Sequence, residues 1–311
     1  MLKNKNVIVT GGAGFIGSNL VERLLEDNEV TIIDDLSTGK IKNVEDLADK
    51  NLKFIKKSIN DNDLIDIFKG HDYVFHQAAL PSVQRSILDP KLSNHANING
   101  TLNVLTAAKD SGIKKVVFAS SSSVYGDTPI LPKVESMGLN PLSPYAVTKA
   151  TGELYLKVFY EVYGLPTISL RYFNVFGPRQ EPNSQYAAVI PKFIQAIMSG
   201  QSPTIYGDGE QSRDFTYVKH VVDANILACD SNKTGVYNIG CGRRITVNEL
   251  FNLIRELIGK DIKPKYVDPV PGDIKHSLAD ILKAKEFGYD PKGNFRDELG
   301  ETVEWFKKYL S

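Results

Sequence analysis

The most constraining stretch of this chain is Thr10-Gly11-Gly12-Ala13-Gly14-Phe15-Ile16-Gly17. It holds GxGxxG at Gly12, Gly14 and Gly17, and GxxGxxG at Gly11, Gly14 and Gly17. Glycines at this spacing allow a tight turn, let backbone N–H groups approach a pyrophosphate, and let the following helix pack close to its strand. A helix N-terminus adds partial positive charge facing the phosphates. A lone GxGxxG says little, but here the context agrees. The apolar run Val7-Ile8-Val9 precedes the turn, a helical pattern runs from Phe15 to about Glu26, and a second apolar run, Val30 to Ile33, ends at Asp34. Asp34 lies 23 residues after Gly11, where an acid accepts a hydrogen bond from a ribose 2′-hydroxyl. The same carboxylate repels a 2′-phosphate, so the pattern selects NAD over NADP.

Strand-like and helical stretches go on alternating. Strand signals fall at Lys53–Ile55, Tyr73–Phe75, Val116–Ala119 and Thr167–Leu170, and helical ones at Asp63–Phe68, Lys91–Lys109 and Tyr145–Tyr163. Short, continuously apolar strands alternating with helices predict a parallel sheet covered on both faces. The expected class is therefore α/β: a Rossmann-type doubly wound sheet with a smaller C-terminal α/β domain. The pattern loosens after Phe176, which places the boundary between 1–175 and 176–311, with a return of about 218–240 to the first domain.

Composition narrows the partners. The chain has 311 residues with 37 basic and 37 acidic side chains, a formal net charge of zero. That balance excludes the strong basic field of a nucleic-acid or polybasic membrane binder. No apolar run approaches the ~18 residues of a membrane span, and the N-terminal apolar stretch is too short for a signal h-region. A cytoplasmic protein is the expectation. Two cysteines and five scattered histidines offer neither a disulfide framework nor metal-ligand spacing.

A second motif carries chemistry. Tyr145-Ala146-Val147-Thr148-Lys149 is a YxxxK, which puts a phenol and an ammonium on one helix face. The ammonium is expected to draw the phenol's pKa down from about 10, making Tyr145 a general acid/base. Alone the pattern equally describes a solvated helix face. It gains weight from Ser120-Ser121-Ser122-Ser123-Val124-Tyr125-Gly126 after an apolar strand, because open α/β sheets place ligands at strand carboxyl ends.

With these motifs the chain resembles the extended short-chain dehydrogenases/reductases, and within them the nucleotide-sugar epimerases. The resemblance runs through TGGAGFIG (10–17), DDLSTG (34–39), HQAA (76–79), SSSSVYG (120–126), PYAVTK (144–149), LRYFNVFGPRQ (170–180), GDGEQSRDF (207–215) and PGDIKHSLAD (271–280). SVQRSI (82–87) and PNSQYAAVIPKF (182–193) are most similar to the branch acting on UDP-N-acetylhexosamines. The resemblance implies an NAD-binding domain, a UDP-sugar-binding domain and a homodimer formed through the helices near 91–109 and 145–163. It implies catalytic roles for Tyr145, Lys149 and Ser121. The implied cofactor shell is Gly11, Gly14, Phe15, Ile16, Gly17, Asp34, Asp35, Leu36, Ser37, Thr38, Gly39, Ile59, Gln77, Ala78, Ala79, Asn97, Tyr145, Lys149, Tyr172 and Phe173. The implied substrate shell is Ser82, Ser121, Ser122, Ser123, Tyr145, Asn174, Ala188, Val189, Tyr206, Arg213, Asp273 and Ser277.

The resemblance also implies a reaction. Dehydratase relatives carry acids directly after the catalytic hydroxyl, and decarboxylase relatives carry a Glu two residues after it. Ser122 and Ser123 stand there, which favours 4-epimerisation through a transient 4-keto sugar. Ser277 is a small residue where larger ones close the pocket to an N-acetyl group, so UDP-GlcNAc/UDP-GalNAc are the expected substrates, with UDP-Glc/UDP-Gal alongside. Three positions depart from the family pattern: Ser58 for an adenine-contacting Asp, Pro81 for a Lys near the cofactor, and Val270 for a second diphosphate Arg. The competing readings are a UDP-glucose 4-epimerase with little N-acetyl activity, another nucleotide-sugar reductase or dehydratase, and an inactive dinucleotide-binding regulator.

Overall fold

In the first β-strand, Asn6–Thr10, Val7 and Val9 pack into the core on one face and Ile8 into the core on the other. That two-sided burial is repeated by Val74 and Phe75, and by Val116 and Val117. It follows from side chains alternating across a pleated strand with both faces covered. The computed structural model describes residues 2–47, 51–182, 188–269 and 274–310. Val270 and Asp273 lie outside the described residues.

The strands are β1 (Asn6–Thr10), β2 (Glu29–Asp34), β3 (Leu52–Lys56), β4 (Tyr73–His76), β5 (Lys115–Ser121), β6 (Thr167–Tyr172) and a seventh, Gly235–Ile239. Among the described residues they form one sheet in the order seventh–β6–β5–β4–β1–β2–β3. Every pair in it is parallel. The order reverses between β1 and β4, the switch point at which doubly wound sheets open a crevice. The seventh strand arrives late in the chain and pairs with β6. The helix before it, Val218–Asp230, packs on helix Phe15–Leu24 and on β5.

A second core gathers Phe176, Phe193, Phe215, Leu250, Phe251, Phe295 and Phe306 from the C-terminal part. Its helices Val189–Met198, Val247–Ile258 and Phe295–Leu310 are joined by two-stranded ladders. Thr246 starts the middle helix with a capping box, its hydroxyl accepting from the Glu249 amide while the Glu249 carboxylate accepts from the Thr246 amide.

The stretch expected as one helix over 91–109 is less regular. An α-turn at Pro90–Asn94 gives way to a π-turn at His95–Asn99, and the α-helix resumes at Gly100–Asp110. Helical periodicity does not register the change, because a π-turn inserts one residue without ending the helix. Among the described residues no helix is long and apolar enough to cross a membrane.

Candidate active site

A cleft of about 530 Å³ opens along the carboxyl ends of β1, β2, β4, β5 and β6. Its walls include Gly11, Gly14, Phe15, Ile16, Gly17, Asp34, Asp35, Ser37, Thr38, Ile59, Gln77, Ala78 and Ala79. Ser82, Tyr145, Lys149, Tyr172 and Ala188 complete the expected residues on its surface. The turn that starts it is shaped by absent side chains. Gly11 sits at φ +70°, and a Cβ there would lie 2.6 Å from the Ala78 amide nitrogen. A Cβ on Gly17 would lie 2.1 Å from the Gly11 carbonyl oxygen. The helix can begin this close to β1 only with glycine at both positions. The cradle, the helix N-terminus and a cleft of small-molecule size fit a bound dinucleotide.

Asp34 is buried at the cleft wall, with its carboxylate accepting from the Ala13 amide at 2.9 Å and the Leu36 amide at 2.8 Å. Burial raises its pKa against the lowering effect of those two bonds. Each carboxylate oxygen has capacity for a further donor. Leu36 and Gly39 are absent from the wall and build the loop behind it; a Cβ on Gly39 would sit 2.8 Å from both Asp34 oxygens.

Four expected residues act from behind the wall or point away from it. Asn97, on the π-turn, accepts from the Leu80 amide at 2.7 Å and donates to the Leu80 carbonyl at 3.2 Å and to Thr148 Oγ1 at 3.0 Å. Its buried amide thus clamps the loop around Leu80. Phe173 packs with Val124, Tyr125, Ala150 and Ala279 in a separate apolar cluster. Ser122 and Ser123 lie in a 3-10 turn after β5, and the buried Ser123 hydroxyl has no partner among the described residues.

Tyr145, Lys149 and Ser121 come together at the end of β5. Ser143 caps the helix Pro144–Tyr163 by accepting from the Ala146 amide, which fixes where Tyr145 enters. Ser121 accepts from the Ser123 amide at 3.2 Å and is near enough to the Tyr145 phenol to lower its pKa. Lys149 Nζ donates to the Ala119 carbonyl at 2.7 Å and sits 5.9 Å from the Tyr145 ring centroid. The electrostatics differ from the expectation drawn from YxxxK. Burial pushes the Tyr145 phenol up to about 12 and pushes Lys149 down to about 7. Desolvation penalises both charged forms and is the largest influence on each, opposed by Ser121 at Tyr145 and by Glu153 at Lys149.

Spacing gave no signal for the residues around this triad. His76 is fully enclosed, with Nδ1 at 2.7 Å from Thr10 Oγ1 and Nε2 at 2.9 Å from Thr101 Oγ1. Thr101 itself donates to the Asn97 carbonyl, so it accepts from Nε2–H. Burial and the nearby Lys149 push His76 down to about 3, leaving it neutral. The Tyr172 hydroxyl shares hydrogen bonds with Gln77 and Asn225. Glu153 and Arg171 form a bidentate pair buried on all sides, and Ser120 donates to Glu153 at 2.5 Å. Lys40, Lys57, Arg85 and Arg179 also line the cleft. Among the described residues no cluster of metal-ligating side chains occurs.

A second cavity, of about 260 Å³, is lined by Asn174, Ala188, Val189, Tyr206 and Arg213 together with Phe193, Phe215 and Val247. Gln180 and Ala188 line both cavities, which therefore adjoin. Arg213 donates to the carbonyls of Ser212 and Lys275, both at 3.1 Å. Its neighbour Asp214 is buried and accepts from the amides of Cys241, Gly242 and Ala279. Burial pushes Asp214 up to about 6 despite those bonds. Ser277 lines neither cavity; its amide donates to the Ser212 carbonyl at 3.0 Å, beside Arg213.

A sequence model described as the NAD dependent epimerase/dehydratase family matches residues 7–240, about three quarters of the chain. The chain belongs to that family. It is similar to a structure named UDP-N-acetylglucosamine 4-epimerase from Methanobrevibacter ruminantium, in complex with UDP-N-acetylmuramic acid. The identity is 53%, the match covers 99% of this chain and 100% of that one, and the TM-score is 0.97. The Thermus thermophilus UDP-glucose 4-epimerase complex with NAD is 38% identical, covering 97% and 99%, with a TM-score of 0.89. A UDP-glucose 4-epimerase of Mycolicibacterium smegmatis is 38% identical over 96% of this chain and 98% of its own length. The family is NAD-dependent, its members here are nucleotide-sugar 4-epimerases, and the seven-stranded Rossmann-type sheet is the one they share.

Proposed function

We propose that this protein interconverts UDP-GlcNAc and UDP-GalNAc at carbon 4, and UDP-Glc and UDP-Gal as a secondary pair. One observation carries the reading: Tyr145, Lys149 and Ser121 converge at the end of β5, with hydroxyls rather than acids at Ser122 and Ser123. A proton can be moved there, while no carboxylate follows Ser121 to drive elimination of water. The 53% identical relative with an N-acetylated ligand supports the sugar class.

The glycine cradle and Asp34 hold the dinucleotide, and Gln77, Tyr172 and Lys149 line its far end. Bound NAD supplies the hydride acceptor and donor, and a positively charged ring. Tyr145 takes the proton from the sugar 4-hydroxyl, and Ser121 hydrogen-bonds the same oxygen. Lys149 favours the phenolate by its charge. Arg213 holds the diphosphate with its planar fork of donors. The sugar end of the site is gripped less tightly than the UDP end, which lets the 4-keto sugar present its other face. Tyr145 then returns the proton.

The test is incubation with UDP-GlcNAc and UDP-Glc separately, without added NAD, followed by resolution of the epimers. Both should interconvert. Absence of either reaction, even with NAD supplied, refutes the proposal. Ser277→Tyr should cut N-acetylated turnover at least tenfold more than non-acetylated turnover; equal losses would remove Ser277 as the size filter.

We also propose a homodimer through the long helices. Val147, Leu154, Val158 and Val162 are exposed along one face of helix Pro144–Tyr163, beside exposed Leu88 and Leu92. A contiguous apolar face of this kind marks an interface, and a two-fold axis lets it cover itself. Light scattering should give twice 34.5 kDa; a monomeric mass at micromolar concentration would exclude it.

A further inference from the structure

The end of β5 meets the helix Pro144–Tyr163 in three consecutive rungs. The Ala119 carbonyl accepts from Lys149 Nζ at 2.7 Å, the Ser120 hydroxyl donates to Glu153 Oε1 at 2.5 Å, and Ser121 is near enough to the Tyr145 phenol to lower its pKa. The three helix partners are spaced four apart, so they share one face. Ala119, Ser120, Tyr145 and Lys149 line the cleft, and Glu153 is the one helix partner of the three that does not. Glu153 is 5% exposed, and Arg171 of β6 donates to both of its oxygens, from Nε at 2.8 Å and from Nη2 at 2.7 Å.

We propose that Glu153, braced by Arg171, is a positioning residue for the chemistry of Tyr145 and Lys149: it fixes the strand end that carries Ser121 and keeps Lys149 an ammonium. This rests on the reading of Tyr145, Lys149 and Ser121 as the reacting groups. The groups facing Lys149 explain why a charge is needed. Its own helix offers Tyr145 and Glu153, β4 offers neutral His76, β5 offers the Phe118 ring at 4.9 Å, and β6 offers Arg171 behind Glu153. With Tyr145 a neutral phenol, Glu153 alone among these brings a negative charge. Burial lowers the affinity of Lys149 for its proton, and Glu153 is what opposes it. Glu153 raises the affinity of Lys149 for its proton with Arg171 in place.

The test is the titration of Lys149 in the NAD-loaded protein, followed by the ¹³Cε resonance that disappears in Lys149→Arg. Glu153→Gln alone leaves Arg171 buried without its partner and is prone to misfold. The variant to use is therefore Glu153→Gln/Arg171→Met, which removes both charges at similar volume. Its Lys149 titration should fall by about one pH unit or more, and the basic limb of kcat should move down with it while KM stays within twofold. Glu153→Asp keeps the charge and should restore the wild-type titration, with kcat lowered a few fold by the slackened Ser120 rung. A wild-type Lys149 titration in the double variant, or a lowered one in Glu153→Asp, overturns the proposal. If the wild-type protein turns over no UDP-sugar, the reading of the site fails instead; the Lys149 resonance still titrates and judges Glu153 separately.

Discussion

Tyr145→Phe will leave a folded protein that binds its cofactor and has lost about 10²–10⁴-fold in kcat, the range supplied by one positioned acid/base group. The substitution removes one oxygen and retains the ring. The Tyr145 amide still donates to Ser86 Oγ at 3.0 Å, and Ser143 still caps the helix. The loss therefore belongs to the proton transfer, equivalent to about 3–5 kcal/mol in the barrier. KM for the UDP-sugar should change little, because the phenol is a small part of the buried contact. Turnover within tenfold of wild type would remove Tyr145 from the chemistry and bring the inactive dinucleotide-binding reading back.

The environment of Tyr145 also sets the sign of the pH dependence. Its working form is the phenolate, so kcat should rise with pH along an acid limb. Burial pushes this phenol up to about 12, so in the free chain the limb lies far above neutrality. Lys149, pushed down to about 7, carries its charge only below that pH. The two groups therefore overlap poorly in the free chain. Only a positive charge placed nearer the phenol than the ammonium narrows the gap, because a cation lowers the pKa of both groups.

The sheet and the glycine turn were legible because each rests on local rules. Val7, Ile8 and Val9 are apolar in sequence because both faces of β1 are covered, and Gly11 and Gly17 are glycine because a Cβ would strike backbone. Tyr145 and Lys149 were legible because four residues make one helical step. Glu153 continues that step, yet an acid four residues after a lysine reads equally as a solvated pair. Only its partner Arg171, on a strand 18 residues away, makes it a buried network. The π-turn at His95–Asn99 left no trace in the periodicity, because the demand for it comes from elsewhere: Asn97 must reach the Leu80 backbone and Thr148 together. The cations Lys40, Lys57 and Arg179 sit on separate loops, and only the fold brings them to one cleft. A net charge of zero could not reveal that local concentration.

Gly17→Ala should produce the second large effect, on cofactor binding and stability together. The added Cβ would lie 2.1 Å from the Gly11 carbonyl oxygen and 2.9 Å from the Gly12 Cα. Both neighbours are backbone. That carbonyl also accepts from the Gly14 amide at 3.1 Å, so it cannot rotate away without opening the turn. Helix Phe15–Leu24 must then lift off β1, where Leu20, Val21 and Leu24 pack into the core. Overpacking of this kind costs about 1–3 kcal/mol or more, which lowers Tm by several degrees in a chain of this size. The same shift moves the helix N-terminus and its free amides away from the pyrophosphate position. Thermal melts with and without NAD separate the two consequences. Wild type should be stabilised by about 2.7 kcal/mol at a hundredfold excess of NAD over Kd, whereas Gly17→Ala should melt at one temperature with or without NAD. A lowered Tm that NAD still raises as in wild type would make Gly17 a packing residue alone and move the cofactor cradle off this turn.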